Sequence, residues 1–157
     1  FLARRREIAA AYREGFADLG LIPQAVDEAT QRHAWHLYVI QLPPDRLAAD
    51  RQTIFHDLRQ QGVAVNVHYR PVHLQPFYQQ RDGDRRGEFP CAERYYERAL
   101  SLPLFPRLSD DGVQRIIGAV RHTLLRDQSD SRAGRPRQAA HRRGVSCDLR
   151  SPANPGR

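Results

Sequence analysis

The chain has 157 residues, 40% of them apolar, and carries a net charge of +7, a length that suits one domain with a real core. All 25 basic residues are Arg, so chemistry that needs a side-chain amine, such as a Schiff base, cannot be completed by this polypeptide alone. Residues 1–126 hold 18 Arg against 15 Asp plus Glu, while residues 127–157 hold 7 Arg against 3 Asp; the folded part is only mildly basic, and no nucleic-acid partner is expected.

In chain order, residues 3–19 are rich in helix formers, and Ile8, Ala11 or Tyr12, Phe16 and Leu19 recur at helical spacing up to Gly20. A polar connector then reaches about Arg32. His36–Leu42 combines aromatic and β-branched residues and predicts a strand, stopped by Pro43 and Pro44. Asp50 or Asp45 can cap a helix running to about Gln61, with Ile54, Phe55, Leu58 and the stem of Arg59 on one face and Gly62 closing it. Val63–Tyr69 predicts a second strand, with Val63, Val65 and Val67 on one face and Ala64, Asn66 and His68 on the other. Strand, helix, strand suits an α/β layer.

Gln79–Glu88 is charged and carries Gly83 and Gly87, so it reads as a loop. A helix can begin at Pro90. Ser101–Pro106 is apolar and broken by prolines, an edge strand or extended segment. Ser109, Asp110 and Asp111 open a last helix whose buried stripe is Val113, Ile116, Ile117, Val120 and Leu124. From residue 127 the composition of Ser, Arg, Gly and Pro predicts a disordered basic tail.

The richest stretch is Val65–Tyr78, where a strand ends in imidazole, phenol and guanidinium groups. His68, Tyr69, Arg70, Pro71 and His73 are the candidate site. Arg70 can grip an anionic oxygen bidentately, and either histidine can donate to a hydroxyl or a phosphate. Strand alternation alone would send His68 and Tyr69 to opposite faces unless Pro71 bends the chain. The spacings of His33, His36, His68 and His73 do not converge as they would on one helix face, and no metal is expected. Cys91 and Cys147 read as two free thiols. Trp35 reads as core, as do Tyr95, Tyr96 and the Phe-Pro pairs at 89–90 and 105–106. No apolar run is long enough to span a bilayer and no signal peptide is recognisable, so a cytoplasmic location without a membrane partner is expected. The chain starts at Phe1 and contains no Met, which predicts the carboxyl-terminal part of something longer.

Four motifs occur in order: His-Ala-Trp-His-Leu-Tyr-Val-Ile (33–40), Val-His-Tyr-Arg-Pro-Val-His-Leu-Gln-Pro-Phe-Tyr (67–78), Phe-Pro-Cys-Ala-Glu (89–93) and Leu-Ser-Leu-Pro-Leu-Phe-Pro-Arg-Leu-Ser-Asp (100–110). Together they resemble the carboxyl-terminal region of the DegT/DnrJ/StrS family of PLP-dependent sugar aminotransferases. The run at 67–78 is most similar to enzymes that aminate a UDP-4-keto-6-deoxy-N-acetylhexosamine in pseudaminic acid biosynthesis. The resemblance implies the small α/β domain of a type I PLP fold at residues 33–126, with a short mixed or antiparallel sheet and helices. A linking helix and connector would occupy residues 1–32, and the tail has no counterpart.

It further implies pyridoxal 5'-phosphate in the full-length enzyme but none bound covalently by this chain. Its partners would be a nucleotide-sugar substrate and glutamate, a missing amino-terminal PLP domain, and a second copy in a homodimer. His68, Tyr69, Arg70 and Pro71 match family residues that approach the substrate. No position here inherits a catalytic or cofactor-binding role, and the chain alone is expected to be inactive. The rival reading is a non-catalytic binding or interaction module derived from that domain.

Overall fold

Helix α1 (Leu2–Gly15) buries Ile8, Ala9 and Tyr12, and Phe16 and Leu19 continue the same apolar face after the helix has ended. The computed structural model describes residues 1–27, 32–43 and 45–133. Tyr12 is fully buried, with its ring 5.6 Å from Phe16 and 5.1 Å from Tyr38, and its hydroxyl donates to the carbonyl of Pro103 at 2.8 Å. Burial pushes both the Tyr12 and the Tyr38 phenols above their ordinary pKa. The helix stops four residues before the expected Leu19. Ala17 and Leu19 donate three residues back, to Glu14 and Phe16, so the chain tightens into turns that Gly20, at φ +70, closes.

A three-stranded antiparallel sheet has the order β1 (Ile22–Pro23), β2 (Tyr38–Gln41), β3 (Ala99–Leu102). Strand β2 is the expected one, trimmed at both ends. Strand β1 lies inside the expected connector; at two residues, one of them a proline, it suits a sheet edge where the missing N–H faces outward. Tyr38 pairs with Leu102 and Ile40 with Leu100. All four β3 residues are buried, because the chain around Asn66 covers the side away from β2. In the sheet order β3 is nevertheless the edge strand, as expected of this segment, with only the single bridge to Asn66 beyond it.

The predicted strand Val63–Tyr69 is reduced to a single bridge between Asn66 and Ser101. Two local bonds compete with the ladder. Val65 donates to the carbonyl of Val63 at 2.8 Å, and the Asn66 side chain accepts from the N–H of Val67 at 2.8 Å. The alternation survives without the strand, since Val63 and Val65 are buried and Ala64 and Asn66 exposed.

Helix α2 (Arg51–Gln60) is capped by Asp50, which accepts from the N–H of Thr53 at 2.8 Å, and it buries Ile54 and Leu58. The chain from Pro76 is helical, forming α3 (Pro76–Asp82) with proline at its first turn; only the residues after it, from Gly83 at φ +81, are the predicted loop. Helix α4 (Pro90–Arg98) runs directly into β3.

Helix α5 (Asp110–Arg132) starts at Ser109, whose hydroxyl accepts from Gly112, and buries the predicted stripe. Arginines tie it to its neighbours. Arg121 donates to the carbonyl of Gly15 at 2.9 Å and forks onto Asp18, Arg126 pairs with Asp57, and Arg4 reaches the carbonyl of Leu108 and Asp110. The helix continues through 127–132, beyond the expected start of the tail. The Asp127 carboxylate is buried and accepts from the N–H groups of Ala48 and Ala49 at 2.8 and 3.0 Å. The remainder of the predicted tail, from residue 134, lies outside the described residues.

Cys91, exposed at the start of α4, is disulfide-bonded, which corrects the free-thiol expectation for that residue, while Cys147 lies outside the described residues; sequence spacing does not report which thiols an exposed cysteine can meet. Among the described residues no helix is long and apolar enough to cross a membrane.

Two substitutions test this packing. Asp127→Ala leaves two backbone donors without their acceptor and is expected to lower stability by about 1–3 kcal/mol in urea unfolding. Gly15→Ala places a Cβ 2.8 Å from Cγ2 of Ile117. Overpacking of about 1–3 kcal/mol outweighs a helix-propensity gain of at most about 1 kcal/mol, so the melting temperature should fall rather than rise.

Candidate functional site

After Gly62, at φ +79, the buried Val63 and Val65 lead to the bridge in which Asn66 and Ser101 exchange both backbone hydrogen bonds, at 3.0 and 2.8 Å. The bridge delivers His68, whose ring Nδ1 shares a 2.7 Å hydrogen bond with the buried Ser101 hydroxyl. The peptide between His68 and Tyr69 is cis. Their rings meet edge-on at 4.6 Å, so the two side chains do not diverge as strand alternation would have them. Tyr69 is 75% exposed.

Arg70 is also exposed. Its carbonyl is held by the Gln75 side-chain amide at 3.0 Å, while Pro71 accepts from the N–H of Leu74 at 2.9 Å and opens a 3-10 turn, Val72–Leu74. Buried Leu74 pins that turn to the body of the protein. Among the described residues the Arg70 guanidinium has neither hydrogen bond nor ion pair.

His73 differs from the other candidates. Its side chain is only 9% exposed, and its Nε2 lies 2.9 Å from Oε1 of Glu93. The same carboxylate oxygen accepts from the N–H of Gly87 at 2.8 Å. Burial alone would raise the Glu93 pKa, but the hydrogen bonds from His73 and Gly87 outweigh it and hold the group below the ordinary carboxylate value. An ionised carboxylate only accepts, so His73 carries a proton on Nε2. The imidazole also packs against Phe89 at 4.7 Å, and the Arg85 guanidinium covers the outer side of that ring at 5.2 Å. This contact commits Nε2 of His73 to Glu93 and fastens the 3-10 turn to α4.

Arg70, Leu74, Arg86, Glu93, Tyr96 and Glu97 line a concavity of about 340 Å³. The Arg51 guanidinium lies over the Tyr96 ring at 4.9 Å, a cation–π contact that braces this wall. Of the five candidates, Arg70 lines the concavity, His73 touches it through Glu93, and Pro71 sets the turn between them. His68 and Tyr69 do not line it. Arg86, Glu93, Tyr96 and Glu97 carry no site signal of their own in the sequence; Tyr96 lines the concavity, and Phe89, expected as core, is 43% exposed. The signal was the Phe-Pro-Cys-Ala-Glu motif, whose Glu93 looks like ordinary helix-start charge until its partners are known. Among the described residues no three His, Cys, Asp or Glu side chains converge as a metal site.

A model of the DegT/DnrJ/EryC1/StrS aminotransferases matches residues 1–121, which include every element from α1 to β3 and both walls of the concavity. The chain belongs to this family. It is 42% identical over 120 residues to the spore coat polysaccharide biosynthesis protein SpsC of Bacillus subtilis, a match covering 75% of this chain and 31% of SpsC. Among solved structures, Spr1654 of Streptococcus pneumoniae in its apo-form superposes with a TM-score of 0.74 at 30% identity, over 84% of this chain and 33% of that one. Helicobacter pylori PseC, an aminotransferase of pseudoaminic acid biosynthesis, superposes with a TM-score of 0.68 at 26% identity, over 80% of this chain and 33% of PseC. The chain thus spans about a third of the length of these relatives, and its fold is that of an aminotransferase fragment.

The Glu93 contact predicts an acid limb in stability. The folded pKa is depressed below 4.5, so the contribution is full above the unfolded value and is lost as pH falls through the lower folded one. In Glu93→Gln this limb should flatten as pH falls below the ordinary carboxylate range, read by chemical denaturation at each pH.

Proposed function

We propose that this chain is the carboxyl-terminal part of a PLP-dependent aminotransferase that moves an amino group from glutamate to a 4-keto nucleotide-sugar. The sugar is of the UDP-4-keto-6-deoxy-N-acetylhexosamine type, as in pseudaminic acid biosynthesis. The observation that carries this reading is the His68–His73 segment, fixed against β3 and α4 so that an uncommitted arginine borders a polar concavity in a chain of this aminotransferase family. The likeness to PseC supports the sugar class, and Spr1654, with its PLP- and PMP-forms, supports the cofactor.

The residues present do not fit the cofactor itself: its attachment takes a lysine amine, and the chain has none. PLP would be held by the remainder of a longer polypeptide, working as a cytoplasmic homodimer, and there it supplies the electron sink. The share of this chain is orientation. Tyr69 offers an exposed aromatic face, Arg70 grips a phosphoryl or carboxamide oxygen through its planar fork, and His68 stands braced by Ser101 beside them.

The isolated chain should show no transamination of glutamate and no borohydride-stable PLP adduct by mass spectrometry. In the full-length enzyme, Arg70→Ala should cost the sugar half-reaction about 2 kcal/mol, the scale of a charge-assisted contact, and leave the glutamate half-reaction untouched. Single-turnover kinetics of each half-reaction decides this; an unchanged sugar half-reaction refutes the assignment.

A further inference from the structure

Glu93 does more than hold one histidine. Its Oε1 is a shared acceptor for two segments that approach the concavity from different directions. His73 Nε2–H comes from the 3-10 turn, three residues after Arg70. The N–H of Gly87 comes from the loop between α3 and α4, immediately after Arg86. Fixing both donors to one oxygen fixes the chain positions from which the two arginines reach the concavity they both line.

Neither arginine is neutralised by a close partner. The Arg70 guanidinium has no ion pair among the described residues, and the Arg86 guanidinium lies 3.5 Å from Asp84 with both side chains largely in solvent, a contact of little strength. The carboxylate at the centre, Glu93, is occupied by its own two donors. Glu97 is exposed at the rim.

We infer that Glu93 is a positioning residue that sets Arg70 and Arg86 as two arms of a clamp for a phosphate-type anion, with Arg86 as an arm not foreseen from the sequence. A carboxylate is satisfied by one planar fork, whereas a diphosphate carries enough oxygens for two. The inference rests on the reading of Arg70 as substrate-facing and extends it to the loop that carries Arg86.

The test uses the whole 157-residue chain with inorganic pyrophosphate as the probe and acetate as the control, in equilibrium titrations at low salt. Pyrophosphate should bind at least tenfold tighter than acetate. Arg86→Gln and Arg70→Gln should each weaken pyrophosphate binding about tenfold with an unchanged melting temperature, since both side chains are exposed. Glu93→Ala, which removes no group expected to touch the anion, should weaken it as much, and Glu93→Gln, which keeps an acceptor oxygen, should recover most of the loss. Unchanged binding in Arg86→Gln overturns the second arm, and unchanged binding in a folded Glu93→Ala overturns the positioning role. If Glu93→Ala does not fold, Arg86→Gln still decides, because binding equal to that of the parent chain overturns the clamp. Absence of pyrophosphate binding in the parent chain also overturns it, and leaves the aminotransferase reading to the half-reaction kinetics. Pyrophosphate binding with no sugar half-reaction effect of Arg70→Ala would instead keep the clamp and sink the nucleotide-sugar reading.

Discussion

Ser101, buried in the middle of β3, makes three of the contacts from which the candidate site hangs: its N–H and its carbonyl pair with Asn66, and its hydroxyl meets His68. The segment 63–74 has no strand of its own to hold it. Two buried valines, one bridge and one imidazole–hydroxyl bond fasten it, and beyond Tyr69 the chain is free to turn outward. A short anchorage of this kind presents the exposed side chains of Tyr69 and Arg70, and the Gln75 amide then holds the carbonyl of Arg70. Ser101 is itself fixed because β3 is paired with β2 on its other side and packed beneath α2.

The far end of the segment is fastened by different physics. Glu93 replaces backbone pairing with a charged acceptor that gathers donors from two loops. Ionic hydrogen bonds to a partly buried carboxylate are stronger than neutral ones, which suits a place where no regular element can run. The concavity therefore lies between a neutral, β-type anchor and an ionic one, with α4 forming its floor. The opposite side of the protein is tied by arginine, through Arg4, Arg121 and Arg126 joining α5 and its leading turn to α1 and α2. In a chain without lysine, the planar guanidinium does this by capping carbonyls and forking onto carboxylates together.

Much of the scaffold was legible in the sequence because its signals are local. The stripe Val113, Ile116, Ile117, Val120, Leu124 can form one face only if the backbone is helical, and Asp50 and Ser109 sit where a helix start leaves N–H groups unpaired. Val63–Tyr69 shows how such a signal misleads. Its alternation is real and orders burial, yet whether a strand forms depends on a partner, and the side chain of Asn66 offered the backbone a local alternative. Charge and glycine further on hide the helical start at Pro76, whereas Pro90 opens a helix in sequence and structure alike.

The site followed the same division. The sequence by itself determined that an arginine stands between a strand-like run and a proline, that two histidines flank it, and that no lysine amine is present for covalent cofactor chemistry. It also carried the family, in motifs whose order survives in a fragment of about a third of the relatives' length. Only the tertiary structure decided that His73 is spent on Glu93, that Arg86 and Tyr96 join Arg70 around one concavity, and that His68 rests on Ser101. Periodicity and capping are properties of neighbours in sequence, whereas these contacts join residues 20 and 33 positions apart, and they form because sheet pairing and helix packing bring those distant segments within hydrogen-bonding reach.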